Sequence, residues 1–358
     1  MSAAAGYISA RPRLKVDGQV NAALGDELLQ SLVVEETTAG FFRCEARFTN
    51  WGSRGNAVGF LLFDRQLLDF GKDFEVEIGP PDAARRVFAG RISGIEALYP
   101  AQRSPELTIL AEDRLQDLRM ERRTRSFEDI SDADVVRRIA SAHGLTAQID
   151  VDGPTYAVLV QLNQSDLAFL RERMAAIDGE LWVDGRTLHA VQRARRATGS
   201  LTLTYGQNLL EFSALADLAH QRTAVRVSGW DPDGKQAIDE SAQAAAIAGE
   251  LAGGDSGSAI LERALTARSE PLATATPLSA REATTQAEAR YRERARRFVT
   301  GCGSTDGSAA LQVGASVTLK GLGPLFDGAY TVTRATHRFD MRSGLRTAFE
   351  VERPGLGR

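Results

Sequence analysis

The sequence predicts an α+β protein that is mostly β. Three observations carry that expectation: short segments rich in apolar and β-branched residues fill both ends of the chain, turn residues separate them, and helical spacing of apolar residues concentrates in the middle. At 358 residues the chain exceeds a usual single core, so more than one domain is expected. The expected division is a first β domain over 1–113, an α+β insert over 114–197 and a second β domain over 198–358.

In the first region, 28–36 and 41–49 read as strands, with Thr38-Ala39-Gly40 suited to the turn between them. Residues 74–78 alternate apolar and acidic, as a half-buried strand does, and Gly79-Pro80-Pro81-Asp82 stops the run. Segments 87–98 and 106–111 complete a meander, and such a series of short strands favours a small barrel or sandwich.

The period then changes. Ser131-Asp132-Ala133-Asp134 has the form of a capping box and opens a helix whose Val135, Val136, Ile139 and Ala140 face one way, with Gly144 closing it. Ser165 is the expected N-cap of the next helix, Asp166 puts negative charge in its first turn, and Leu167, Leu170, Met174 and Ile177 share a face. Gly179 is expected to end it in the left-handed conformation. Two short strands, 181–183 and 187–191, follow, joined by Asp184-Gly185.

Strands return over 201–238, with 223–230 alternating and Asp231-Pro232-Asp233-Gly234 as a turn. Residues 241–280 fall to Ala, Gly, Ser and Thr, which predicts a flexible connection. A helix is expected over 281–298, with Thr284, Ala287, Tyr291 and Phe298 on one face and arginines opposite. Strands at 316–320, 329–337 and 346–351, punctuated by Gly321, Gly323-Pro324 and Gly344, complete a second β domain built from two sequence-distant parts.

Composition narrows the function classes. Hydrophobic residues at 43% and charged residues at 25% are the balance of an ordinary globular protein, and a net charge of −4 gives no ground for nucleic-acid specificity or membrane attraction. No apolar run approaches the roughly 20 residues that span a bilayer, and the first residues lack the basic-then-apolar order of a signal peptide. Cys44 and Cys302 are too few for a disulfide framework and read as isolated thiols.

Gly254-Asp255-Ser256-Gly257 has the form that surrounds a serine-protease nucleophile, and Ala142-His143 has a faint likeness to the matching histidine segment. A triad needs a base held rigidly against the serine, whereas this serine sits among small residues and His143 ends an amphipathic helix. His143, His189, His220 and His337 show no metal-ligand spacing. Gly321-Leu322-Gly323-Pro324 precedes a strand and lacks the donors of a phosphate loop. The arginine runs 122–125 and 294–297 have no interleaved aromatics and read as solvated or intersubunit faces. The expectation is therefore no enzyme, with no catalytic, cofactor-binding or metal-binding residue assigned. The rival is a hydrolase, either a serine protease through Ser256 or a peptidoglycan hydrolase, the latter needing two facing carboxylates.

The central pattern of Asn163, Ser165-Asp166 and Phe169-Leu170-Arg171, followed by Asp178-Gly179, Trp182, Gly185 and Leu188, resembles the helix-hairpin of the phage late control gene D family. That family also forms the N-terminal part of VgrG proteins. Phe88-Ala89-Gly90-Arg91-Ile92, Glu112-Asp113-Arg114-Leu115, 122–127, Asp129-Ile130-Ser131-Asp132 and, near the C-terminus, 321–333 with His337 and Phe339 resemble further parts of it in the same order, so the likeness runs from about Val16 to Val351. The resemblance implies two tube-protein-like β-barrels per chain and a structural hub of a contractile tail or injection system. It implies a homotrimer that joins a sixfold inner tube to a threefold spike among baseplate proteins, assembled in the bacterial cytoplasm as part of a phage tail, tailocin or injection particle. VgrG proteins continue into an OB domain and a needle, so the spike is expected to be a separate polypeptide.

Overall fold

A computed structural model describes residues 11–38, 42–80, 82–273 and 276–357; Ala39, Gly40 and Pro81, on which two of the expected turns depend, lie outside them. The protein is mostly β, as the alternation of its strands requires. In the first region, Leu29–Thr37, Arg43–Thr49, Asp73–Ile78, Arg85–Leu98 and Glu106–Glu112 form within two residues of the expected segments. Each turns one row of apolar side chains inward, as in Phe74, Val76 and Ile78, all at most 1% exposed.

The two β regions are not separate sheets. Thirteen strands make one continuous sheet, because Gly328–Asp340 pairs antiparallel with Leu29–Thr37, from Arg334 opposite Thr37 to Asp340 opposite Ser31. Around this shared spine lie two apolar clusters. One is built from Leu14, Phe48, Phe74, Phe88 and their neighbours, the other from Leu203, Val317, Tyr330, Phe349 and theirs.

The middle of the chain carries its own core. Helix α1 (Leu115–Arg119) leads into an antiparallel pair, Arg122–Ser131 with Thr155–Ser165, that covers α2 (Asp132–Ala142) and α3 (Asp166–Ala176). Ser131 caps α2 by accepting the N–H of Asp134, and Ser165 caps α3 by accepting that of Ala168 at 3.2 Å. The expected apolar faces are buried: Leu170 and Val135 at 0%, Leu167 and Met174 at 2%, Ile177 at 1%.

Two local expectations are corrected. The left-handed residue after α3 is Asp178, with φ +57°, and not Gly179, which begins the strand Gly179–Asp184. Glycine at 179 gives close packing: a Cβ there would lie 2.9 Å from Sδ of Met174, which would have to shift. The hairpin pairs Asp184 with Thr187, so its turn is Gly185-Arg186, one residue later than expected.

The connection expected to be flexible over 241–280 instead holds regular structure. Residues 244–250 form a 3-10 turn, Asp255-Ser256 pairs with Gly355-Leu356, and α4 spans Gly257–Leu265. Small residues allow this because they permit close approach: Leu261 is 3% exposed and Ile247 fully buried. The long helix α5 spans Ala280–Arg296 and packs Ala283, Ala287 and Tyr291 against Val225 and Val227 of the strand Ala224–Asp231. Among the described residues no helix is long and apolar enough to cross a membrane.

Candidate functional site

Ser256 has a structural post. Its backbone is extended, its Oγ accepts the N–H of Ala259 at 3.2 Å, and it lies 3.0 Å from Oγ of Ser258. The flanking glycines answer packing demands. A Cβ on Gly257 would meet Phe298 and Gln221 at about 2.6 and 2.5 Å, and one on Gly254, at φ +79°, would strike the Leu356 carbonyl. G-D-S-G here seats a helix start against the C-terminal strand.

Three of the four histidines have definite partners away from Ser256. His143 Nε2 lies 2.9 Å from Asp166, His189 stacks on Trp182 at 4.7 Å, and His337 Nδ1 lies 2.9 Å from Thr347 Oγ1. His220 is exposed. Burial holds the His337 imidazole down at about 4, so it is neutral at physiological pH. Among the described residues no group of three or more His, Cys, Asp or Glu side chains could hold a metal. Cys44 is buried, Cys302 exposed, and both are free.

The arginine runs are not simply solvated. Arg125 donates to Asp166 at 2.6 Å, and Gln161 donates to the same oxygen at 2.9 Å. Burial works against the Asp166 carboxylate, yet His143, Gln161, Arg125 and Arg123 together hold it below its ordinary range. Arg294 pairs with Glu270 at 2.8 Å, and Arg296 is only 4% exposed. Asp132 performs a similar task between helices, accepting from Arg173 at 2.7 Å and from Tyr156 at 3.0 Å.

The densest polar arrangement lies where the middle of the chain meets the sheet. Arg196 donates to Glu36 at 2.6 Å and Glu180 at 3.1 Å, with its guanidinium 4.2 Å from the centre of the Trp182 ring. Arg193 reaches Glu180 at 3.0 Å and Glu352 at 2.5 Å. Arg296 takes Asp178 in a two-point grip, 2.5 and 2.7 Å, and holds Glu250 at 2.7 Å. Burial raises Glu36 and Glu352 above the usual carboxylate range despite these arginines. Asp113, at the entry to α1, is pushed up to about 7 by burial, against the pull of the N–H groups of Leu115 and Phe42. Sequence reasoning missed this cluster because the pairs Asp178–Arg296, Arg193–Glu352 and Glu36–Arg196 join residues 118 to 160 positions apart and no local period marks them.

Among the described residues, apolar surface is open in an aromatic cluster and along one strand. Trp51, Phe60, Phe63 and Tyr99 pack ring on ring at 4.9 to 6.4 Å, yet Trp51 is 40% and Tyr99 63% exposed. Val158, Val160 and Leu162 form an outward row on one strand, each more than half exposed. What these arrangements offer is clamping by charge and contact area for a partner.

The Alg8 N-terminal domain family matches residues 52–340. The chain belongs to that family. Its fold is shared with a 43 kDa prophage tail protein of Shewanella oneidensis, at TM-score 0.69 and 13% identity over 96% of this chain and 98% of that one. It is shared too with a tail protein of Neisseria meningitidis, at TM-score 0.66 and 11% identity over 97% of each chain. A component of the type VI secretion system of E. coli, described as similar to bacteriophage tail proteins, aligns at TM-score 0.58 and 13% identity over 95% of this chain and 76% of that one. No curated protein matches the chain.

Proposed function

We propose that this family member is a structural hub of a contractile tail or injection system, of the kind that the late control gene D resemblance implies. The observation that carries the reading is the fold shared end to end with the Shewanella tail protein, 96% of one chain on 98% of the other. On this reading residues 1–113 and 198–358 supply two tube-like barrels around the two β cores, and 114–197 is an insert between them. Three copies then present six tube-like units to an inner tube on one side and a threefold spike on the other. A cyclic interface of that kind joins two different faces of the subunit, and the open aromatic cluster and the Val158, Val160, Leu162 row are apolar area available to it. The protein works without a cofactor and without catalysis, as a component of the assembled particle. The hydrolase alternative gains nothing from Ser256, whose oxygen serves as a helix cap.

Native mass measurement of the assembled hub tests this. A trimer is expected; a stable monomer, dimer or hexamer overturns the tube-to-spike reading.

A further inference from the structure

The middle of the chain is a body with its own core, running from Leu115 to Ala190, and none of its residues belongs to the clusters that fill the rest of the protein. Among the described residues no apolar cluster bridges the seam. What crosses it is charge. From the insert side come Asp178, Glu180, Arg193 and Arg196; from the other side Glu36, Glu250, Arg296 and Glu352 meet them. At the rim Arg86 reaches Asp184 at 2.5 Å. Crevices of about 490 and 500 Å³ flank the contact, one beside Gln192 and Arg292, the other beside Trp182 and Lys15. The seam is therefore joined by charged pairs and not by a shared apolar core.

A lattice of this kind has two favourable arrangements and little between them. Complete, its partners satisfy one another; opened, each group recovers its water; with one member missing, the others are buried without compensation. An apolar seam has no comparable open state, because its exposed area stays unfavourable. The chain crosses the seam at two narrow places. One is Asp113, whose carboxylate accepts the N–H of Leu115 at 3.0 Å and of Phe42 at 3.3 Å. The other is 197–199, where Thr198 donates to the Val313 carbonyl at 3.0 Å and Gly199 adopts φ +147°.

We propose that the seam is a latch: the insert is a rigid arm, held shut against the sheet by the lattice of Arg193, Arg196 and Arg296 with their carboxylates, and able to swing on 113–114 and 197–199 when the lattice is broken. The inference stands independently of the hub reading, since it concerns one chain.

The test is a distance measurement on the full chain, with Cys302→Ser to remove the exposed thiol and spin labels on Ser141→Cys of α2 and Glu96→Cys of the sheet, both at exposed positions. The parent should give one narrow distance distribution at low salt. Arg193→Met with Arg196→Met should move at least half of the population to longer distances, with helix content by circular dichroism unchanged. Should that pair fail to fold, Glu180→Gln, which removes the carboxylate that both arginines share, should open a smaller fraction that grows with added sodium chloride. A distribution that stays single and narrow in the folded variants and in salt overturns the proposal. So does loss of the insert's helices together with any opening, which would make the seam part of the insert's own fold.

Discussion

Asp178 both ends α3 and grips Arg296. Its φ of +57° turns the chain out of the helix, and the same turn aims its carboxylate at a guanidinium 118 positions away, met at 2.5 and 2.7 Å. Asp tolerates the left-handed region better than most side chains, so one residue can serve both ends.

Removing Arg296 should be costly. Arg296→Ala leaves Asp178, 7% exposed, with the more distant Arg292 at 3.8 Å, and takes its two-point partner from Glu250. Loss of one partner from a buried charged set costs about 3–5 kcal/mol. Urea unfolding should show a fall of that order. Arg296→Lys should recover part of it, since lysine keeps the charge but lacks the two-point grip.

The helix α3 makes a second prediction. Leu170 is fully buried in the insert core with Leu167, Met174 and Ile177. Leu170→Ala should lower stability by about 2–5 kcal/mol. Leu170→Asp should abolish the insert's folding, seen as lost helical circular dichroism. An unchanged melting temperature for either variant would mean that the assigned face is wrong.

What the sequence made legible is what local physics decides. Capping serines 131 and 165, the alternation of 73–78 and the apolar face of α3 can all be read from neighbours in sequence, and the structure places them within a residue or two. Four features could not be read. The pairing of Gly328–Asp340 with Leu29–Thr37 depends on strands some 300 positions apart. The role of Asp178 depends on a partner in α5. The Ala, Gly and Ser content of 241–280 signals freedom in isolation, but small residues also allow the close contacts that Gly254 and Gly257 make. The seam cluster was illegible for the same reason: arginine and glutamate carry no sign of burial until the fold brings them together.

Acid should act on this protein in two opposing ways. The buried His337 titrates at about 4, against about 6.5 in an unfolded chain. Between those values the unfolded state binds a proton that the folded state refuses, so stability falls as pH drops from about 6.5 to about 4, by at most about 1.4 kcal/mol per pH unit. His337→Gln should remove that slope. Glu36 and Glu352 carry the opposite sign. Glu36 faces Arg196, the Val313 N–H and Glu180; Glu352 faces Arg193, Arg296, Glu180 and Arg297. Burial raises both, so their contribution is present in acid and is lost as pH rises through their folded values. Glu36→Gln and Glu352→Gln should therefore each flatten the fall in stability between acid and neutral pH, while lowering stability across that range by breaking the pairs with Arg196 and Arg193. Urea midpoints at pH 5 and pH 7 for the three variants separate the two effects.

Ser256 decides between a cap and a nucleophile. Its Oγ accepts the Ala259 amide, its neighbour Ser258 shares the hydroxyl contact, and it is 8% exposed, which leaves little room for a substrate. Ser256→Ala should cost about 1 kcal/mol, the usual loss of an N-cap, and Ser256→Asp should recover most of it, because a carboxylate caps equally well and favours the helix start. Neither variant should change assembly into particles. A nucleophile behaves otherwise: it is labelled by a fluorophosphonate, and aspartate cannot replace it. Labelling of the parent at Ser256, together with loss of particle function in both variants at unchanged stability, would replace the cap with a catalytic serine and the hub with a hydrolase.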